Sequence, residues 1–168
     1  MKAIVSADLN WAIGNDNSLL VRVPEDTKYF KSHTLGKVVI MGRKTFESLP
    51  GMQPLENRIN IVLTKNKNFT HDGVITVNSM DEALKETLKY EPEDVYIIGG
   101  AKIYKRFLPY CSQALVTRWD ATFDADTYFP DLDEEEGWRL VEESDYKTHK
   151  GLGYKFTVYE NTQVQEIQ

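Results

Sequence analysis

Short apolar runs recur along the chain, each closed by glycine or polar residues: 2–6, 38–41, 59–63, 74–77 and 95–98. They are rich in Val and Ile with little polar alternation, the pattern of strands covered on both faces, as in a parallel sheet. Helix signals fall between them. Pro24 followed by Glu25 and Asp26 opens one helix, and residues 43–48 read as a short second. Ser79 with Glu82 is a capping-box pattern for a third, through about residue 89. The run 95–98 ends in Gly99-Gly100 and leads directly into a fourth helix, which stops near Pro109. After that the pattern changes. Residues 114–119, 127–129 and 155–160 read as strands without intervening helices, an antiparallel edge, with a turn at 151–153 and a polar tail at 161–168 expected to fray. Residues 7–23 show no clear period yet hold Trp11, Ile13, Leu19 and Leu20, which suits a long loop that covers something. The expected fold class is α/β: a single domain over residues 1–168 with a central mixed, mainly parallel sheet flanked by helices and an antiparallel C-terminal edge.

Composition narrows the class. A chain of 168 residues, 41% hydrophobic and 27% charged, is long enough to bury its own core without crosslinks. The net charge of -6 speaks against a general nucleic-acid binder, so any anion site must be local. One cysteine, Cys111, excludes an internal disulfide, and no apolar run is long enough to span a bilayer. The expectation is a cytoplasmic protein without nucleic-acid or membrane partners.

In open α/β sheets ligands bind beyond the carboxyl ends of the strands. Cations and hydroxyls gather after three of those ends: Arg43, Lys44 and Thr45 after Gly42; Thr64 and Lys65 after Leu63; and Lys102 after Gly99-Gly100. In an acidic protein this suggests one extended polyanionic ligand, although solvated loop charges read the same way. The spacing of Gly36 and Gly42 does not make a Walker A loop, and a G-x-G-x-x-G turn after the first strand is missing, which disfavours a P-loop kinase and an ordinary Rossmann dehydrogenase. Asp26 stands in a first helical turn among aromatic residues. It is either a simple helix-end charge or a partly buried carboxylate able to accept paired hydrogen bonds from an amidine-like ring edge. His33, His71 and His149 lack metal-ligand spacing, and the acidic run from Asp131 to Glu136 has Gly137 one place too late for a calcium loop, so no metal is expected.

Taken together and in order, the motifs resemble dihydrofolate reductase from near the first strand to the last. They are Ala12-Ile13-Gly14-Asn15 to Asn17; Val23-Pro24-Glu25-Asp26-Thr27-Lys28-Tyr29-Phe30-Lys31; Val39-Ile40-Met41-Gly42-Arg43-Lys44-Thr45-Phe46-Glu47-Ser48; Arg58-Ile59-Asn60-Ile61-Val62-Leu63-Thr64; Ile97-Ile98-Gly99-Gly100-Ala101-Lys102-Ile103-Tyr104; and Asp126-Thr127-Tyr128-Phe129-Pro130. The resemblance implies NADPH-dependent reduction of dihydrofolate to tetrahydrofolate for one-carbon metabolism, by a monomer that also binds antifolate inhibitors. It makes Asp26 the acid that holds the pterin edge and favours protonation through water. Val5, Thr27, Phe30, Leu49, Leu55 and Ile98 become apolar walls, Thr117 a further substrate contact, and Arg58 the grip on the substrate's glutamate carboxylate. For the cofactor it implies Arg43 and Lys65 at a 2′-phosphate; Lys44, Thr45, Gly99, Gly100, Lys102 and Thr127 along the pyrophosphate; and Ala7, Ile13, Asn17 and Leu19 beside the nicotinamide, in a closing lid. Gly42, Ser48, Leu63, Thr64, Ala101, Ile103, Tyr104 and again Ile98 complete the cofactor set, and a cis Gly99-Gly100 peptide is implied as well.

Two positions depart from the family pattern. Leu20-Val21 stands where a proline and tryptophan are usual before the helix, and Ala125 replaces a common glycine before Asp126. The first change bears on lid motion, proton delivery and inhibitor affinity. Two other readings use the same residues: a reductase of this fold acting on another pyrimidine or pteridine, against which Asp26 and Arg58 together speak, and a nucleotide-binding module that has lost catalysis.

Overall fold

The structure is a computed structural model that describes residues 1–168 throughout. Its strands are β1 (Lys2–Ala7), β2 (Ala12–Gly14), β3 (Val38–Gly42), β4 (Ile59–Leu63), β5 (Val74–Val77), β6 (Val95–Gly99), β7 (Gln113–Trp119), β8 (Thr127–Tyr128), β9 (Trp138–Glu143), β10 (Lys147–His149) and β11 (Leu152–Asn161). The helices are α1 (Pro24–Thr34), α2 (Arg43–Ser48), α3 (Met80–Thr87) and α4 (Ala101–Phe107). Nine strands form one sheet in the order β10-β11-β7-β1-β6-β3-β4-β5, with β9 also on β11. From β7 to β5 every pairing is parallel, and β11 turns the sheet antiparallel.

Alternation along the parallel strands sorts side chains to two faces. Ala3 and Ala7, Val38 and Ile40, Ile61 and Leu63, Val95 and Ile97, and Ala114 and Val116 join one apolar cluster with Ala83 and Leu84 of α3 and Ile103 and Phe107 of α4. Ile4, Val39, Met41, Val62, Tyr96 and Leu115 join the other, capped by Phe46 of α2 and by Tyr29 and Phe30 of α1. Because both faces are covered, the central strands read as continuous apolar runs.

Several expectations change. Residues 127–129 do not belong to the C-terminal edge: β8 pairs with β2, inside the segment read as a long loop. Nor is β7 an edge strand. It lies parallel to β1 on one side and antiparallel to β11 on the other. β9, largely exposed although it holds Trp138, Leu140 and Val141, and the very short β10 were not expected. The last turn is Lys150-Gly151, both at positive φ, and His149 already pairs with Leu152. α3 ends at Thr87; Ser79 caps it as expected, accepting from the Glu82 N–H at 3.1 Å, but Glu82 Oε2 accepts from the Asn78 N–H at 2.8 Å and not from that of Ser79. The tail is held, not frayed: Gln165 N–H donates to the Pro109 carbonyl at 2.8 Å, and Ile167 packs on the core.

Candidate active site at the strand ends

Asp26 sits half-buried in the first turn of α1, on the helix face turned to the sheet. Two hydroxyls donate to it: Thr117 Oγ1 to Oδ1 at 2.6 Å and Ser6 Oγ to Oδ2 at 2.7 Å. Burial raises its pKa above the ordinary carboxylate value, while the hydrogen bonds from Thr117 and then Ser6 pull it back. Three residues on along α1, Tyr29 lies flat against Phe156 of β11, with centroids 4.1 Å apart at 14°. The spacing puts Asp26 and Tyr29 on one side of the helix, so α1 is seated on neighbouring strands by an aromatic stack and a carboxylate together.

On the sheet face that carries this acid, Phe30, Leu49, Leu55 and Ile98 all pack half-buried against the same apolar cluster. Thr27 is exposed, and Val5 turns to the opposite face, where it packs on the other cluster. Arg58 is placed by the loop before β4. Its Nη1 donates to Thr34 Oγ1 at 3.1 Å and its Nε to the Glu56 carbonyl at 2.9 Å, and burial lowers its pKa. The buried Asn60 holds that loop, accepting from Leu55 N–H at 3.0 Å and donating to the Leu55 and Arg58 carbonyls.

The ends of β6, β3 and β4 lie side by side, with Met41 opposite Gly99 and Gly42 opposite Leu63. Here the backbones must come close. A Cβ on Gly42 would lie 3.1 Å from Ile103 Cγ1, and Gly99, at φ +122, would bring one within 3.2 Å of Tyr104 Cε2. The Gly99-Gly100 peptide is cis. A Cβ built on Gly100 would lie 3.6 Å from Thr45 Oγ1, so α2 and the start of α4 converge on this turn.

These features coincide with strong sequence and structural relatedness. A family model described as dihydrofolate reductase matches residues 1–161. The dihydrofolate reductase of Bacillus subtilis is 39% identical over 159 residues, covering 94% of this chain and 92% of that protein. That of Neisseria gonorrhoeae is 39% identical over 151 residues, covering 89% of this chain and 91% of its own. Among solved structures, dihydrofolate reductase from Enterococcus faecalis complexed with NADP(H) and RAB-propyl superposes with a TM-score of 0.85 at 32% identity, covering 95% of each chain.

The chain belongs to the dihydrofolate reductase family.

In this dihydrofolate reductase fold the cationic positions fall on one rim of the sheet. Arg43 opens α2, half-buried, its guanidinium over the Phe69 ring at 5.2 Å. Its buried Nε makes no hydrogen bond but is ion-paired with Glu47 one turn along the helix, 3.4 Å from Oε2. Lys44, Lys65 and Lys102 are exposed. Ser48 Oγ is turned back to the Thr45 carbonyl at 2.6 Å, and Thr64 caps its own loop by accepting from Asn66 N–H at 3.2 Å. Ile103 and Tyr104 are buried beneath the turn, with Tyr104 OH donating to the Ile4 carbonyl at 2.7 Å, while Ala101 is half-buried above them.

The segment between β1 and α1 is tied to the β7–β8 loop. Asp8, fully buried, accepts from the backbone N–H groups of Asn10, Ala12 and Phe123 at 2.8–2.9 Å. Asp126 Oδ2 accepts from Asp16 N–H at 3.0 Å, and Thr127 Oγ1 donates to Asp126 Oδ1 at 2.6 Å. Ala7 and Ile13 are buried in this junction, whereas Asn17 and Leu19 are exposed beyond it. Val21 packs partly buried against Val23, Trp119 and Tyr154.

Ser6, Asp8 and Asn60 were not among the residues expected from sequence. Ser6 had one usable signal, a lone hydroxyl two places after Ile4 in an otherwise apolar strand. A cavity of about 380 Å³ opens elsewhere, between Arg118, Asp120, Glu143, Tyr146 and Lys155, and contains none of the expected residues.

Proposed function

We propose that this chain reduces dihydrofolate to tetrahydrofolate with NADPH, and that Asp26 is its catalytic acid group. The single observation that carries this is the half-buried Asp26 carboxylate, held by Thr117 and Ser6 on the sheet face that also carries Phe30, Leu49, Leu55 and Ile98. A carboxylate offers about four lone-pair directions. Two are taken by hydroxyls, and one on each oxygen stays free for the paired N–H groups of a pterin edge. Such a pair orients a flat ring, and the anion beside it favours protonation of the ring nitrogen through water.

The chain's own residues fit the cofactor. Arg43, braced on Phe69 and with its Nε 3.4 Å from Glu47 Oε2, would supply its guanidinium to a 2′-phosphate, with Lys65 just beyond the neighbouring strand end. Gly42 and Gly99 let the backbone settle closely onto Ile103 and Tyr104 at the turn where the pyrophosphate would cross, flanked by Gly100, Lys44, Thr45 and Lys102. NADPH, when bound, supplies the hydride. Arg58, held by Thr34 and Glu56, would pair with the substrate's glutamate carboxylate. The segment from Ala7 to Leu19, anchored through Asp8 and Asp126, would border the nicotinamide and exclude water.

The test is direct: purified protein is mixed with NADPH and dihydrofolate and NADPH oxidation is followed. Turnover is expected with dihydrofolate. Folded protein that binds NADPH but oxidises none would overturn the reading and leave a binding module in its place.

A further inference from the structure

Ser6 and Thr117 are register partners on the adjacent parallel strands β1 and β7, and both side chains face α1. Parity explains this. Ile4 and Leu115, two places earlier on each strand, belong to the apolar cluster on that face. The strand pair thus presents two hydroxyls side by side, and each meets a different oxygen of one carboxylate. Neither makes another side-chain hydrogen bond.

We propose that Ser6 is a positioning residue for the reaction, its hydroxyl and that of Thr117 clamping both oxygens of Asp26 so that the remaining lone pairs aim at the substrate. The proposal rests on the reading of Asp26 as the reaction's acid group. One donor would leave the carboxylate free to rotate about its Cβ–Cγ bond, whereas two donors on different oxygens set the plane. Both also favour the anion, opposing the effect of burial.

The other ionisable groups facing Asp26 do not take over this role. Tyr29 on α1 and Tyr154 on β11 are pushed up to about 12, chiefly by burial, and stay neutral. Glu25 is engaged by the Tyr154 hydroxyl at 2.6 Å and lies 3.4 Å from Lys147 Nζ.

The experiment follows the Asp26 carboxyl carbon by ¹³C NMR against pH in the full-length protein, for wild type, Ser6→Ala and Ser6→Thr. Loss of the Ser6 donor is expected to raise the Asp26 midpoint by roughly one pKa unit, and Ser6→Thr to restore it. In parallel, the pH profile of kcat for dihydrofolate at saturating NADPH is expected to move in Ser6→Ala by the same amount and direction as the carboxyl midpoint. A folded Ser6→Ala protein whose Asp26 titrates as in wild type would overturn the proposal, as would a shifted midpoint with an unmoved kinetic profile. An inactive wild type would overturn the activity reading alone, and the NMR titration would still decide whether Ser6 holds Asp26.

Discussion

Thr117 and Asp26, 91 residues apart in the chain, are joined by a hydrogen bond of 2.6 Å. Thr117 is buried in β7, and Asp26 reaches it from the first turn of α1. A rigid strand therefore fixes a helix-borne acid. What that acid does follows from its setting: burial opposes its charge, and the hydroxyls support it.

Replacing Asp26 with Asn keeps the shape and removes the charge. Turnover of dihydrofolate at neutral pH is expected to fall by roughly 10² to 10⁴-fold, with partial recovery at low pH, where the substrate itself gains a proton. Single-turnover NADPH oxidation across pH checks this. Undiminished turnover in the variant would remove Asp26 from the chemistry.

Asp26 also sets a pH dependence of stability. Its folded pKa is raised by burial, so the folded state holds this proton more tightly than the unfolded chain. The resulting stabilisation is present below the unfolded carboxylate value and is lost as pH rises through the folded one. Asp26→Asn is therefore expected to be more stable than wild type at neutral pH, the difference closing on acidification through the Asp26 midpoint. Urea unfolding of both proteins at several pH values measures it, and a gap that widens on acidification would contradict the sign.

Arg43→Gln is expected to raise the KM for NADPH by roughly 10 to 100-fold, because a charge-assisted contact to a phosphate is lost. The KM for NADH should stay near its wild-type value. An equal loss for both cofactors would mean that Arg43 acts through its stacking on Phe69.

Asp8→Ala strands three backbone N–H donors, those of Asn10 and Ala12 between β1 and β2 and that of Phe123 after β7. It is expected to destabilise the protein by about 3 kcal/mol, and Asp8→Asn by less, since the amide keeps one acceptor oxygen. The urea midpoint of each variant tests the order.

Val21→Trp adds a ring to the partly buried cluster of Val23, Trp119 and Tyr154, at the approach to α1. The hydride-transfer rate or antifolate affinity is expected to change. A variant matching wild type in both would show that this departure from the family pattern has no kinetic effect.

The sequence by itself determined the central strands, the starts of all four helices and the cluster of cations after β3, β4 and β6. Those features are local: doubly covered strands are apolar throughout, and Pro24, Gly42 and Gly99-Gly100 mark breaks with mechanisms of their own. It also singled out Asp26 and Arg43 from their setting, and Arg58 through the family resemblance. It could not place residues 127–129 against residues 12–14, because a two-residue bridge has too little periodicity to show. Nor could it reveal β9 and β10, whose exposed side chains need no apolar pattern. Ser6 shows the limit most plainly. Its residue type and strand were legible, but its partner was decided only when β1 paired with β7 in one register and α1 crossed that face. A parallel sheet is closed by non-local pairing, and a shift of one residue would have turned Ser6 away from Asp26.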